Sequence, residues 1–309
     1  MNNNKTLKNK KMSGNGTRKN RKKKRGKDFK PRCSPAYPEK EEDFTCYSNE
    51  ALNKMKNLWN IRHPNNKINS SDSQVIWQFF KDKFSNTCEN EKCWMRQQFA
   101  RNNLSKEMTL YTFAPEAPNE WENNPNEWLT SSDLANVMAH FERKYPNFLF
   151  IGPTPIDFDK VTQHSECVWD EMCNFSIAKL LRKGKHKIGI IYNTDPHTED
   201  GEHWIASFID FKPKKGNPYH FHFDSNGDPP KKEILDFHDK LKQQADSINM
   251  QLDFDKNHPK EHQYGDSECG MYTLYFIINM LNGTHDGKYF KTKRIPDKFV
   301  EKYRNIYFN

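Results

Sequence analysis

The chain has 309 residues, of which 34% are hydrophobic and 29% charged, with a formal net charge of +8. That length holds one sizeable domain with an extension, or two domains, and so low an apolar fraction means that part of the chain joins no core. No apolar run reaches the roughly 18 residues that span a bilayer, so no membrane partner is expected, and the N-terminus lacks the apolar centre of a secretory signal.

Residues 1–32 hold 14 Lys/Arg and one acid, Asp28, which leaves the rest of the chain mildly acidic. Residues 1–40 are basic, low in complexity and rich in Asn and Gly, so they are expected to be a disordered tail. Such a tail suits nuclear targeting or non-specific nucleic-acid binding through residues 1–32, or only solubility. Residues 41–112 read as a helical arm. In "NEALNKMKNLW", Leu52, Met55 and Trp59 share a face, and in "SDSQVIWQFFKDKF", Val75, Ile76, Phe79, Phe80 and Phe84 do so behind a Ser71 or Asp72 cap. The Pro/Asn-rich "FAPEAPNEWENNPNEW" marks a boundary, and residues 113–309 form the second domain.

That domain opens with a helix, "LANVMAHFERKY", capped by Ser132 or Asp133. Strands are predicted at "KIGIIYN", "EHWIASFIDF", "PYHFHFD" and "MQLDFD". A helix over "PPKKEILDFHDKLKQQADSI" presents Ile234, Leu241, Ala245 and Ile248, and a last apolar helix over 269–282 stops at Gly283. The fold class is therefore α+β, a mixed or antiparallel sheet with segregated helices. Seven cysteines without a C-x-x-C pair exclude a zinc ribbon, and free thiols in a reducing compartment are expected.

The segment "HQYGDSECGMYTLYFIINML" places Cys269 at the mouth of an apolar helix, six residues after Gln263 and just before Gly270. A lone cysteine is most simply a small core residue. As a nucleophile it needs a base, an orienter for that base and oxyanion donors. His203 opens the strand "HWIASFID" and Asp224 ends "YHFHFD". If those strands are antiparallel neighbours, the two side chains meet. Cys269 would then attack, His203 take its proton, and Asp224 hold the imidazole. Ser267 is the expected helix cap, and the helix dipole favours thiolate. Gln263 would donate its amide to the oxyanion beside the Cys269 N–H, and an exposed Trp204 would wall the cleft. Two other readings compete. His220-x-His222-x-Asp224 is a possible metal-ligand spacing without further ligands nearby, and the fold could serve binding alone, with the basic tail as its working part.

With these motifs in place, "GEHWIASFID", "FHFDSN" and "HQYGDSECGMYTLYF" resemble the clan of cysteine peptidases that holds the SUMO and ubiquitin-like-protein proteases and the adenovirus protease. Its pattern of His-Trp, a strand-ending Asp or Asn, Gln, and Cys-Gly six residues on falls on His203-Trp204, Asp224, Gln263 and Cys269-Gly270. "EWLTSSDLANVMAHF" resembles the first helix of the SUMO proteases. That implies a papain-like core with His-Asp-Cys order and a buried nucleophile helix, and makes Trp128 and Trp204 the walls of a tunnel for a Gly-Gly segment. "FAPEAPN", "PIDFD" and "YNTDPHTEDGEHW" resemble the asfarvirus-type polyprotein proteases, whose upstream region is a helical arm, although those enzymes carry Asn where this chain has Asp224. The resemblance implies a thiol endopeptidase that needs no cofactor or metal. Its substrate would be a viral polyprotein precursor, and its location the virion core and infected-cell cytoplasm. Removal of ubiquitin-like modifiers from host conjugates is the alternative. An acyltransferase on the same triad would need a cofactor site, for which there is no signal.

Overall fold

A computed structural model describes residues 32–37, 43–162 and 165–309. Most of the expected basic tail lies outside the described residues. Residues 32–37, which composition groups with that tail, are packed. Arg32 donates to the Phe308 carbonyl at 2.8 Å and to the Asn305 side chain at 3.1 Å, and Ser34 Oγ bonds to His140 Nδ1 at 2.7 Å.

The arm has a core of its own. Helices α1 (Asn49–Arg62) and α2 (Ser73–Lys83) bury Leu52, Met55, Trp59, Ile76 and Phe80. Asp72 is the α2 cap, bonding the Gln74 and Val75 amides. Val75, expected inward, is exposed, because it falls on the edge of the stripe that Ile76 and Phe80 define. Helix α3 (Lys106–Tyr111) closes this region.

The second region is built on a five-stranded sheet in sequence order. Helix α4 (Ser131–Lys144) leads in, capped by Thr130, whose hydroxyl and Asp133 form a capping box. The cap thus comes earlier than Ser132 or Asp133, and Asp133 acts as its partner. Strand β1 (Phe148–Thr154) follows, then the short helices α5 (Asp170–Cys173) and α6 (Ile177–Arg182). Strands β2 (Lys187–Asn193), β3 (Trp204–Asp210) and β4 (Tyr219–Phe223) are joined antiparallel, helix α7 (Lys232–Asp246) crosses over, and β5 (Asp253–Lys256) pairs parallel to β4.

Period-two alternation sends Trp204, Ala206 and Phe208 to one face, and Ile205 and Ile209 to the other. The first face packs on helix α8 (Cys269–Asn282) and α4. The second packs on α7, through Ile234, Phe237, Leu241 and Ala245. Ile248 lies beyond the end of α7 and is exposed. Helix α8 is apolar all round because it is buried all round, and it ends at Gly283, whose φ of 72° suits glycine. The chain finishes with α9 (Gly287–Thr292), α10 (Asp297–Glu301) and α11 (Arg304–Tyr307).

Candidate active site

Antiparallel pairing sets the first contact. Ala206 stands opposite Phe223, so the residues before β3 and after β4 emerge side by side. His203 Nε2 and Asp224 Oδ1 lie 2.8 Å apart. A carboxylate only accepts, so Nε2 carries the proton and Nδ1 is the nitrogen left for the thiol. Asp224 is fixed in turn. Its backbone N–H donates to Asn257 Oδ1 at 2.9 Å, its carbonyl accepts from Asn257 Nδ2 at 2.6 Å, and its Oδ1 accepts from the Asn226 N–H at 2.9 Å. Asn257 follows β5, so the parallel edge strand serves as a brace for Asp224.

Cys269 is the first residue of α8, is buried, and is the free cysteine of the chain. Burial lowers the pKa of His203, but hydrogen bonds and negative charge from Asp224 and Cys269 override it and raise that pKa to about 10. The site therefore favours the imidazolium form of His203. Ser267 is not the cap. Glu268 occupies the cap position in a helical conformation without a side-chain bond to the helix, and Ser267 Oγ donates to the Glu268 carboxylate at 2.6 Å. The first amides of α8 thus meet no side-chain cap, and their positive end faces the sulfur and any oxyanion formed beside it.

Gln263 is buried and held at both ends of its amide. Ser225 Oγ donates to Oε1 at 2.8 Å, and Nε2 donates to the Gly265 carbonyl at 2.9 Å. An amide nitrogen has two N–H groups, so one remains for an oxyanion. Asp297 secures the loop by accepting from the Tyr264 and Gly265 amides and from the Tyr272 hydroxyl. Ser225 adjoins Asp224, so Asp224 and the Gln263 amide rest on one short segment.

A cleft of about 680 Å³ is lined by Trp128, Leu129, Pro153, Trp169 and Trp204 among others, and Trp204, the neighbour of His203 in sequence, is its link to this cluster. Trp204 Nε1 donates to the Leu129 carbonyl at 3.1 Å. A Cβ on Gly270 would sit 3.1 Å from Leu129 Cβ and 3.4 Å from Trp204 Cδ1, so glycine lets the nucleophile's turn close against the indole wall. Trp128 is half-exposed, whereas Trp204 is buried rather than exposed, because Leu129 and α8 cover it.

Comparison with known proteins bears on this arrangement. The Ulp1 protease family, C-terminal catalytic domain, matches residues 188–309, which contain His203, Asp224, Gln263 and Cys269. Residues 188–309 form an Ulp1-like protease domain. The chain is a cysteine protease. It is 29% identical over 298 residues to a protein of Acanthamoeba polyphaga mimivirus named a thiol protease, covering 89% of this chain and 92% of that one. To the SUMO-1 cysteine protease of African swine fever virus it is 24% identical over 247 residues, covering 75% of this chain and 87% of that one. The crystal structure of the African swine fever virus protease shares the fold, with a TM-score of 0.64 at 19% identity over 90% of this chain and 95% of that one.

Two expectations about side chains in the protease need correction. In place of free thiols, Cys33–Cys46, Cys88–Cys93 and Cys167–Cys173 are disulfides, because the loops between them return each pair to bonding distance. The metal-like triplet is used otherwise: His220 bonds to Ser207 at 2.9 Å and lies 3.4 Å from His238. Burial lowers the pKa of His222 to about 4, so it sits neutral in the interior. Asn257, Asp297 and Arg304 belong to no motif that sequence reading can pick out. They act on backbone groups that only folding brings to them.

Proposed function

We propose that this cysteine protease is an endopeptidase that cuts after small residues at Gly-Gly-type sites, with Cys269 as nucleophile, His203 as base, Asp224 as its orienter and Gln263 as oxyanion donor. Maturation of viral structural polyproteins in the virion core is its role in this reading. The close packing of Gly270 against Leu129 and Trp204 supports the specificity, since it brings the indole next to the nucleophile's turn. Relatives in two groups of large viruses support the viral setting. The name SUMO-1 cysteine protease, borne by the African swine fever virus relative, keeps an isopeptidase acting on ubiquitin-like conjugates as the second reading.

The test is incubation with capsid precursors and, separately, with SUMO and ubiquitin conjugates, followed by mass spectrometry of new termini. New termini after Gly-Gly in the precursors alone support the first reading. Termini only at conjugate junctions overturn it. Trp204→Ala is expected to relax the glycine requirement on a peptide panel, and an unchanged preference would remove Trp204 from the substrate wall.

The basic tail supplies a location in the same proposal. Residues 1–32 would bind polyanions through counterion release, with affinity falling steeply as salt rises and little sequence preference. That suits an enzyme carried with a genome into the virion core, and equally one drawn to a nucleus. Deleting residues 1–31 is expected to weaken nucleic-acid binding and flatten its salt dependence while leaving peptide hydrolysis unchanged. Equal salt slopes for the two proteins would leave the tail a solubilising extension.

A further inference from the structure

We propose that Arg304 is a positioning residue that ties the nucleophile's loop to the tryptophan wall and offsets the negative charge of Glu268 beside Cys269. The proposal rests on Cys269 as the nucleophile. Arg304 opens α11 and is buried. Its Nη1 donates to the Glu127 carbonyl at 2.8 Å, and its Nη2 reaches the Ser267 carbonyl at 3.2 Å and the Asn126 carbonyl at 3.4 Å. The guanidinium lies over the Trp121 ring at 4.5 Å, and Trp121 Nε1 donates to the same Glu127 carbonyl at 3.1 Å. One planar fork therefore grips the chain just before Trp128 and Leu129 and just before Cys269. The two segments lie far apart in sequence, and Arg304 holds both.

The electrostatic half follows from Glu268. Its carboxylate is buried, adjoins the nucleophile in sequence, and lies 3.8 Å from Arg304 Nη2. An unpaired carboxylate there would oppose formation of a second negative charge on the sulfur. The charged groups around Arg304 are Glu268, Glu301 and Glu127, together with the Cys269 sulfur, and those bearing on the sulfur from the other side are His203 and Asp224. Burial lowers the pKa of the Arg304 guanidinium and these negative groups raise it, and within this set Arg304 is the strongest base set against Glu268.

The test compares Arg304→Met, Arg304→Lys, Glu268→Gln and the Arg304→Met/Glu268→Gln double variant in the full chain. Iodoacetamide alkylation of Cys269 is followed against pH by mass spectrometry, with near-UV circular dichroism as a check on folding. Arg304→Met is expected to move thiol ionisation about one pH unit toward alkaline, and Glu268→Gln to move it the opposite way. The double variant should return ionisation close to the wild-type pH while kcat/KM stays about 10- to 100-fold low, because the backbone tether is still missing. Arg304→Lys should retain most of the ionisation and lose the tether. Unmoved ionisation in Arg304→Met and Glu268→Gln overturns the proposal, and should Arg304→Met not fold, Glu268→Gln alone decides it. Alkylation reads the thiol whether or not it attacks substrate, so failure here is distinct from failure of Cys269 as nucleophile, which Cys269→Ala reports.

Discussion

Replacing Cys269 by alanine is expected to abolish peptide hydrolysis, with a loss on the order of 10⁶-fold, the scale seen when a protease loses its nucleophile. The fold should survive. Cys269 is one small side chain at the first turn of a helix whose other buried residues are untouched, and its truncation should cost about 1 kcal/mol. Thermal melting separates the two effects: a variant that melts close to wild type and cuts nothing identifies a chemical loss. More than a trace of hydrolysis in that variant would remove Cys269 from the mechanism, whatever the family resemblance.

The second large effect concerns His203. His203→Ala should lower kcat/KM by about 10³-fold, within the range for removing a positioned acid–base group. Asp224→Asn should cost less, because an amide oxygen still accepts from Nε2, but it should change the pH profile. Asp224 and Cys269 together raise the His203 pKa from 6.5 to about 10. Taking away the carboxylate charge removes part of that support, so the imidazolium is lost at lower pH and the alkaline limb of kcat/KM should move toward neutral. The same shift has a stability consequence. A group whose pKa is raised on folding contributes stability that is fully present below its unfolded pKa and is lost as pH rises through the folded value. Wild type should therefore lose a stabilising contribution between about pH 6.5 and 10, and His203→Ala should show that loss no longer. An alkaline limb unmoved in Asp224→Asn would mean that the carboxylate orients the ring without setting its charge.

How far the site is legible in the sequence depends on the kind of signal each residue leaves. His203, Asp224 and Cys269 lie at strand and helix ends, where alternation and helical spacing reveal both the element and its boundary, whereas Gln263 sits in the loop before α8 and is marked by its spacing from Cys269. Antiparallel β3 and β4 bring His203 and Asp224 together as that pattern implies. Strand β1 leaves a weaker trace. Its sequence FLFIGPT is short and contains Gly and Pro, and it lies outside the predicted strands. Ser267 looks like a cap because serine commonly is one, but the helix begins later, behind Glu268, and the hydroxyl turns to that carboxylate. Trp204 looks exposed because it borders the cleft, yet it is covered by Leu129 and Gly270, both remote from it along the chain. Asn257 and Arg304 are invisible for the same reason: each reads as an ordinary polar residue until its carbonyl partners are known.

The order in which the chain supplies its parts also has a meaning in time. The imidazole comes at 203, its carboxylate at 224, the sulfur at 269 and the arginine that spans the two loops at 304. During synthesis the base and its partner can meet while the sulfur is still to be made. The sulfur then waits for the closing helices before its loop is tied to Glu127. A growing chain therefore leaves the loop before Cys269 untied to Glu127 until Arg304 has been made and has docked.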